Sequence, residues 1–288
     1  MKKIAFLGLG VMGYPMAGHL QKAGFDVCVY NRTIEKAKQW SKHYGGTYAQ
    51  TPAKAVINAD IVLACVGADK DLLEITIGNG GAFEAMRAGA IFIDHTTTSD
   101  TVAKKLYSIA KTKRLEFIDA PVSGGQMGAE NAILTIMCGG DNDVFEIVKP
   151  LMDTYANHCG LIGDIGAGQQ CKMINQIVFT HVLQGLSEGI SFAKQAGLDT
   201  NKVYDAISGG AAGSWQMNNR WKTMVKGEFD FGFAIDWGLK DLNLVLDCAE
   251  SMKLDVPTTR QLRDSYRELQ EQGHGRDDTS ALIRRYVK

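Results

Sequence analysis

Gly8-Leu9-Gly10-Val11-Met12-Gly13 follows directly on an apolar run, Ile4-Ala5-Phe6-Leu7. A strand that ends in a glycine-rich turn and opens a helix leaves backbone N–H groups unpaired at the positive end of a helix dipole, a seat for a pyrophosphate. Glycine turns are common, so this stretch needs context before it means a dinucleotide site walled by Gly8, Leu9, Gly10, Val11, Met12 and Gly13. Further along, where such folds place the end of a second strand, the chain reads Asn31-Arg32-Thr33. An acid there would bond the ribose 2′-hydroxyl of NAD and repel the 2′-phosphate of NADP. Asn31 is neutral, Arg32 supplies a planar cation and Thr33 a hydroxyl, so the expected cofactor is NADP.

Working outward, short apolar strands alternate with helical stretches up to about residue 163, the pattern of a parallel sheet covered on both faces. Strands are expected at 4–7, 27–30, 61–66, 91–94, 117–119, 134–138 and 158–162, with helices at 12–23, 34–43, 53–58, 101–111 and 144–152. Beyond Gly168 the character changes. Residues 169–196 contain no proline and place Met173, Ile177, Val178, Val182, Leu186 and Ile190 at helical intervals, which predicts one long helix. Segments 202–207, 215–225, 239–252, 259–272 and 279–287 are also helical in pattern. The fold class is therefore α/β, a Rossmann-type doubly wound sheet (1–165) followed by an all-helical C-terminal domain (166–288).

Composition narrows the function. The chain has 288 residues, 45% hydrophobic and 22% charged, with a formal net charge of -1. That is ordinary for a soluble globular protein and carries no basic bias toward nucleic acid. No apolar stretch reaches the roughly 18 residues of a spanning helix, and the early glycine turn argues against a secretory signal. Six scattered cysteines, without a Cys-x-x-Cys pair or a zinc-like spacing, read as reduced, mostly buried thiols of a cytoplasmic protein with no metal site.

Three further stretches carry chemistry. Asp119-Ala120-Pro121-Val122-Ser123-Gly124-Gly125 leaves a strand and becomes a turn that could hold a carboxylate on its N–H groups and the Ser123 hydroxyl, or be an ordinary proline and glycine turn. In Gly166-Ala167-Gly168-Gln169-Gln170-Cys171-Lys172-Met173-Ile174-Asn175, Lys172 and Asn175 lie three apart and share a helix face. A lysine near a helix start is on the disfavoured side of the dipole. Lys240-Asp241-Leu242 lies on a later helix, where the bland reading is a solvated, charged face. Trp215, Met217, Asn218 and Phe231 are candidates for a pocket or for core packing.

The ordered set of motifs resembles the β-hydroxyacid dehydrogenase family, which includes 3-hydroxyisobutyrate dehydrogenase and the tartronate, glyoxylate and succinic semialdehyde reductases. The resemblance spans nearly the whole chain, from Ile4 to Asp277-Asp278-Thr279-Ser280-Ala281. It implies that Gly8, Gly10 and Gly13 are the cofactor fingerprint, that Asn31, Arg32 and Thr33 match NADP-preferring members, and that Val66, Gly67, Thr96 and Thr97 flank the nicotinamide. It further implies a substrate-binding turn at Ser123, Gly124 and Gly125, catalytic Lys172, a substrate-orienting Asn175, and Lys240 at the substrate and cofactor. Three positions depart from the family pattern: Gly67 where relatives usually have proline, Ala132 where a glycine often stands, and Gln176 where many have a second asparagine.

The implied reaction moves a hydride between the nicotinamide and the carbonyl carbon of a small aldehyde acid, with Lys172 handling the proton. A lysine ordinarily titrates at about 10.4, and the role requires its pKa lowered to roughly 7 to 8 by burial and neighbours. NADP dependence favours reduction of glyoxylate or succinic semialdehyde; 3-hydroxyisobutyrate dehydrogenase is the alternative substrate reading. A non-catalytic dinucleotide-binding module is the alternative of a different class, and Lys172 with Asn175 argues against it. An imine reductase shares the architecture but generally replaces that lysine. The resemblance also implies a homodimer or homotetramer.

Overall fold

The computed structural model describes residues 2–286, which form two compact units divided between Lys172 and Met173. Val287, where the last expected helix ends, lies outside the described residues, as do Met1 and Lys288.

The first unit is built on strands β1 (Lys3–Leu7), β2 (Asp26–Tyr30), β3 (Thr47–Tyr48), β4 (Ile61–Ala64), β5 (Ile91–Asp94), β6 (Glu116–Asp119), β7 (Val122–Ser123), β8 (Leu134–Gly140) and β9 (Ala156–Gly163). Their order is β3-β2-β1-β4-β5-β6-β8-β7, with β9 pairing β8. The crossing from β3-β2-β1 to β4-β5-β6 is the Rossmann switch, which opens a crevice beyond the carboxyl end of β1. Ile4 and Phe6 pack into one core and Ala5 and Leu7 into the other, so β1 is buried on both faces. Helices α1 (Gly13–Lys22), α2 (Ile34–Tyr44), α3 (Pro52–Val56), α4 (Asp69–Ile77), α5 (Ala82–Ala85), α6 (Asp100–Thr112), α7 (Gly125–Glu130) and α8 (Asn142–Met152) complete the unit.

The sheet is not wholly parallel, as the sequence pattern suggested. After β6 the chain spends Val122–Ser123 on a strand that itself pairs with β8, and the short α7 is too little for a parallel crossover. β8 therefore runs antiparallel to both β6 and β7. The strand expected at 61–66 ends at Ala64. Among the cysteines only Cys138 and Cys159 are buried; the other four are half-buried.

Helix α9 (Ala167–Gln195) leads out of the first unit. The second unit adds α10 (Thr200–Ile207), α11 (Trp215–Lys226), α12 (Ile235–Ser251) and α13 (Pro257–Leu269). Its core joins Leu183, Leu186 and Ile190 of α9 to Trp221, Leu242, Tyr266 and Leu282. The expected helix 259–272 changes to a π-helical turn at Gln270–His274, broken by Gly273 at φ 90, and Thr279–Arg285 is a 3-10 helix. Among the described residues no helix is long and apolar enough to cross a membrane.

Candidate functional site

At the carboxyl end of β1 the backbone is held too tightly for side chains. Gly8 has φ +102, and a Cβ there would overlap the Cys65 carbonyl oxygen; a Cβ on Gly13 would overlap the carbonyl oxygen of Gly8. Gly10 differs, since a Cβ on it would meet nothing within 4 Å. Its backbone is thus bare toward open space. Met12, the N-cap of α1, makes no side-chain cap bond. Open approach to Gly10 and a helix start without a side-chain cap fit a dinucleotide pyrophosphate. Leu9 is buried, and Val11 is exposed beside the turn.

Asn31 has a task that the sequence did not reveal. Its Oδ1 accepts from the Leu9 N–H at 2.9 Å and its Nδ2 donates to the Thr33 carbonyl at 3.0 Å, so it braces the glycine turn against the end of β2. Arg32 is 81% exposed and lies 3.3 Å from Asp71. An exposed pair of this kind adds little stability, which leaves the guanidinium available to an anion. Thr33 is the N-cap of α2 and makes no side-chain cap bond.

The loops after β4 and β5 are laced together. Val66 N–H donates to Thr96 Oγ1 at 3.1 Å, and Thr96 N–H donates to Asp94 Oδ1 at 2.9 Å. Gly67 and Thr97 are half-buried in these loops. Burial pushes the Asp94 carboxyl up to about 7, opposed by its Thr96 hydrogen bonds and reinforced by the charges of Asp119 and Asp69. Burial also drives His95 down to about 4; it bonds the Ala120 carbonyl oxygen at 2.7 Å and Tyr155 at 2.9 Å.

Ser123 is in β7, paired with Thr135, and Gly124 follows at φ +129. Gly125 opens α7, so the expected turn is a strand-to-helix junction. Ala132, just past that helix, sits at φ 57. The departure from glycine therefore falls at a left-handed position, where a Cβ is strained.

Lys172 is 8% exposed, in the second turn of α9. The helix start is anchored by Asp119, whose Oδ1 accepts from Gly166 N–H at 2.7 Å and whose Oδ2 accepts from Gln169 N–H at 2.8 Å. A Cβ on Gly139 or Gly168 would press on that carboxylate. Burial raises Asp119 to about 6, against the pull of these backbone bonds.

Within the second unit, Asn175 and Lys240 are joined through two residues the sequence reading left without a role. Asn175 Nδ2 donates to Gln176 Oε1 at 2.8 Å, Gln176 Nε2 donates to Asp241 Oδ2 at 2.6 Å, and Lys240 Nζ lies 3.1 Å from Asp241 Oδ1. Asp241 is 3% exposed, so the solvated-face reading of Lys240-Asp241-Leu242 is corrected. The adjacency of Gln176 to Asn175, and of Asp241 to Lys240, was the available signal. Of the pocket candidates, Met217 is core, Asn218 accepts from the Tyr204 hydroxyl, and Trp215 and Phe231 flank the Arg220 guanidinium. Among the described residues no group of three or more His, Cys, Asp or Glu could hold a metal ion.

A family model described as the NAD binding domain of 6-phosphogluconate dehydrogenase matches residues 3–163, and one described as NAD-binding of NADP-dependent 3-hydroxyisobutyrate dehydrogenase matches 166–286. The chain is 52% identical to an uncharacterized oxidoreductase of Shewanella frigidimarina, over 100% of this chain and 99% of the relative. It is 34% identical to 2-hydroxy-3-oxopropionate reductase of Escherichia coli, over 98% and 96% respectively. Its structure is similar to 3-hydroxyisobutyrate dehydrogenase of Mycobacterium tuberculosis solved with L-serine, with a TM-score of 0.91, 28% identity and 100% of both chains covered. With both models matched in order along a Rossmann sheet and a helical unit, the chain belongs to the 3-hydroxyisobutyrate dehydrogenase family of oxidoreductases.

Proposed function

We propose that this protein is an NADP-dependent reductase of small aldehyde acids, of the glyoxylate or succinic semialdehyde class. The observation that carries the reading is Lys172, a lysine buried near the start of a helix anchored by Asp119, which the family resemblance makes the proton donor. The Escherichia coli relative is named for the reduction of a three-carbon aldehyde acid, which supports that substrate class. The likeness to a 3-hydroxyisobutyrate dehydrogenase structure supports the second reading, oxidation of a branched β-hydroxy acid.

Gly8, Leu9, Gly10, Val11, Met12 and Gly13 would hold the pyrophosphate, Arg32 and Thr33 the 2′-phosphate, and Val66, Gly67 and Thr96 the nicotinamide side, with Lys240 contributing a cation. When bound, the reduced nicotinamide supplies the hydride for the carbonyl carbon. The Lys172 ammonium gives its proton to the carbonyl oxygen as that oxygen gains charge, and the neutral amine is reprotonated from solvent. In the oxidative direction the neutral amine takes the hydroxyl proton. Asn175, three residues along the same helix, orients the substrate oxygen, and Ser123 with the N–H groups of Gly124 and Gly125 receives the carboxylate. We further assign the protein to the cytoplasm, and to a homodimer or homotetramer in which the exposed Ile174, Val178 and Phe192 of α9 find cover.

The test is a panel of short aldehyde acids and hydroxy acids with NADPH, NADH and their oxidised forms, read as kcat/KM. The reading predicts the highest value for an aldehyde acid with NADPH. A higher value for 3-hydroxyisobutyrate oxidation selects the second reading, and no turnover of any member rejects both.

A further inference from the structure

Gln169 is 1% exposed, and both ends of its amide are committed. Nε2 donates to the Thr96 carbonyl at 2.7 Å and Oε1 accepts the Thr98 N–H at 3.0 Å. These bonds grip the loop that follows β5 from both sides of Thr97. The same loop receives the Val66 N–H on Thr96 Oγ1, so the segment after β4 is held through it. On the backbone side the Gln169 N–H is itself clamped by Asp119. Lys172 stands three residues along, on the same side of α9 as Gln169. One buried amide therefore connects the segment carrying Val66 and Thr96 to the first turn of α9, three residues before Lys172, all inside the first compact unit.

We propose that Gln169 is a positioning residue of the reaction, holding the Thr96–Thr98 loop and the first turn of α9 as one body so that nicotinamide seat and proton donor keep a constant separation. This rests on the reductase reading above. Hydride and proton reach neighbouring atoms of one carbonyl group, so their sources tolerate little relative drift; a misplacement of about 1 Å can cost on the order of 100-fold in rate. A buried glutamine that only satisfied the fold would affect stability and leave the turnover of folded protein alone.

Two variants separate these possibilities, each read by amide hydrogen exchange and by steady-state kinetics. In Gln169→Met the Thr98 N–H loses its acceptor, and its exchange is expected to accelerate at least about 10-fold while the amides of β5 and β6 stay protected. In Gln169→Glu at pH 8 the acceptor for Thr98 remains but the donor to Thr96 is gone. Thr98 protection should persist, and kcat should still fall about 10-fold or more with the Kd for NADPH within about threefold. If Gln169→Met fails to fold, seen as lost protection in β5 and β6, Gln169→Glu decides. Unchanged kcat in folded variants overturns the proposal, as does unchanged Thr98 exchange in folded Gln169→Met. Wild-type protein that turns over no aldehyde acid sinks the reductase reading and the kinetic half of this proposal with it, whereas exchange, which needs no substrate, still reports whether the tether exists.

Discussion

Asn31 grips Leu9: its Oδ1 takes the Leu9 N–H at 2.9 Å, and its Nδ2 is spent on the Thr33 carbonyl at 3.0 Å. A neutral amide at this position thus does two things at once, bracing the glycine turn and adding no second carboxylate to the one that Asp71 already sets beside Arg32. An aspartate could accept from Leu9 but could not donate to Thr33. Asn31→Asp is expected to raise the NADPH Kd at least about 10-fold, and Arg32→Ala to raise it about 10- to 100-fold with less than a twofold change for NADH, since a charge-assisted bond contributes about 1.5–3 kcal/mol. Fluorescence titration with both nucleotides checks this, and equal losses for the two would show that Arg32 does not serve the 2′-phosphate.

Lys172→Ala should lower kcat by about 100- to 10,000-fold, the usual worth of a positioned acid or base, with the Kd for NADPH within about threefold of wild type. Single-turnover oxidation of NADPH by the preferred substrate is the measurement. A variant that kept its turnover would remove Lys172 from the chemistry.

Ala132 occupies the left-handed region at φ 57, where a Cβ costs roughly 1–2 kcal/mol. Ala132→Gly relieves that strain but gains about 0.5–1 kcal/mol of conformational entropy in the unfolded chain. A net stabilisation of up to about 1.5 kcal/mol is expected, visible as a higher urea midpoint at unchanged slope. A lower midpoint would mean that the alanine methyl makes a compensating contact.

Asp94 makes stability depend on pH in an unusual direction. Its carboxyl holds a proton up to about 7 in the folded chain, against an ordinary 3.8. Between those values the native state binds more protons than the unfolded state, so this group's contribution falls as pH rises, by at most about 1.4 kcal/mol per pH unit. Asp94→Asn removes the effect. Its Tm relative to wild type should climb from pH 4 to pH 7 and then level off. His95, shifted down to about 4 from 6.5, works oppositely, gaining stability as pH rises through that window, but it is present in both proteins. A constant Tm difference across the range would place Asp94 in the ordinary carboxylate range.

The Rossmann half was legible because its signals are local. Residues 4–7, 27–30 and 91–93 are short apolar runs, and each lies within a strand. The α4 helix escaped notice because Ala68 is no side-chain cap and Asp69, in its first turn, faces Ser99 thirty residues away instead. Antiparallel β8 escaped because direction is set by the length of the connection, which strand patterns do not carry. The same distinction holds at the site. Spacing puts Lys172 and Asn175 on one helix face, and their proposed roles come from the family resemblance, whereas Asp241 and Gln169 bond partners 65 and 71 residues distant, at Gln176 and Thr98. The adjacency of Asp241 to Lys240 marks the residue but not its partner, and Gln169 has no such neighbour to mark it.

The empty ground in front of Gly10 has one last implication. Its neighbours Gly8 and Gly13 are glycines because the chain would collide with itself otherwise, but at Gly10 no atom of the protein objects to a methyl group. A Gly10→Ala chain should fold, pack and melt like its parent and reveal its defect only in the company of a dinucleotide. A screen that selects on stability would therefore pass it as healthy, which makes Gly10 the position at which foldability and activity part ways.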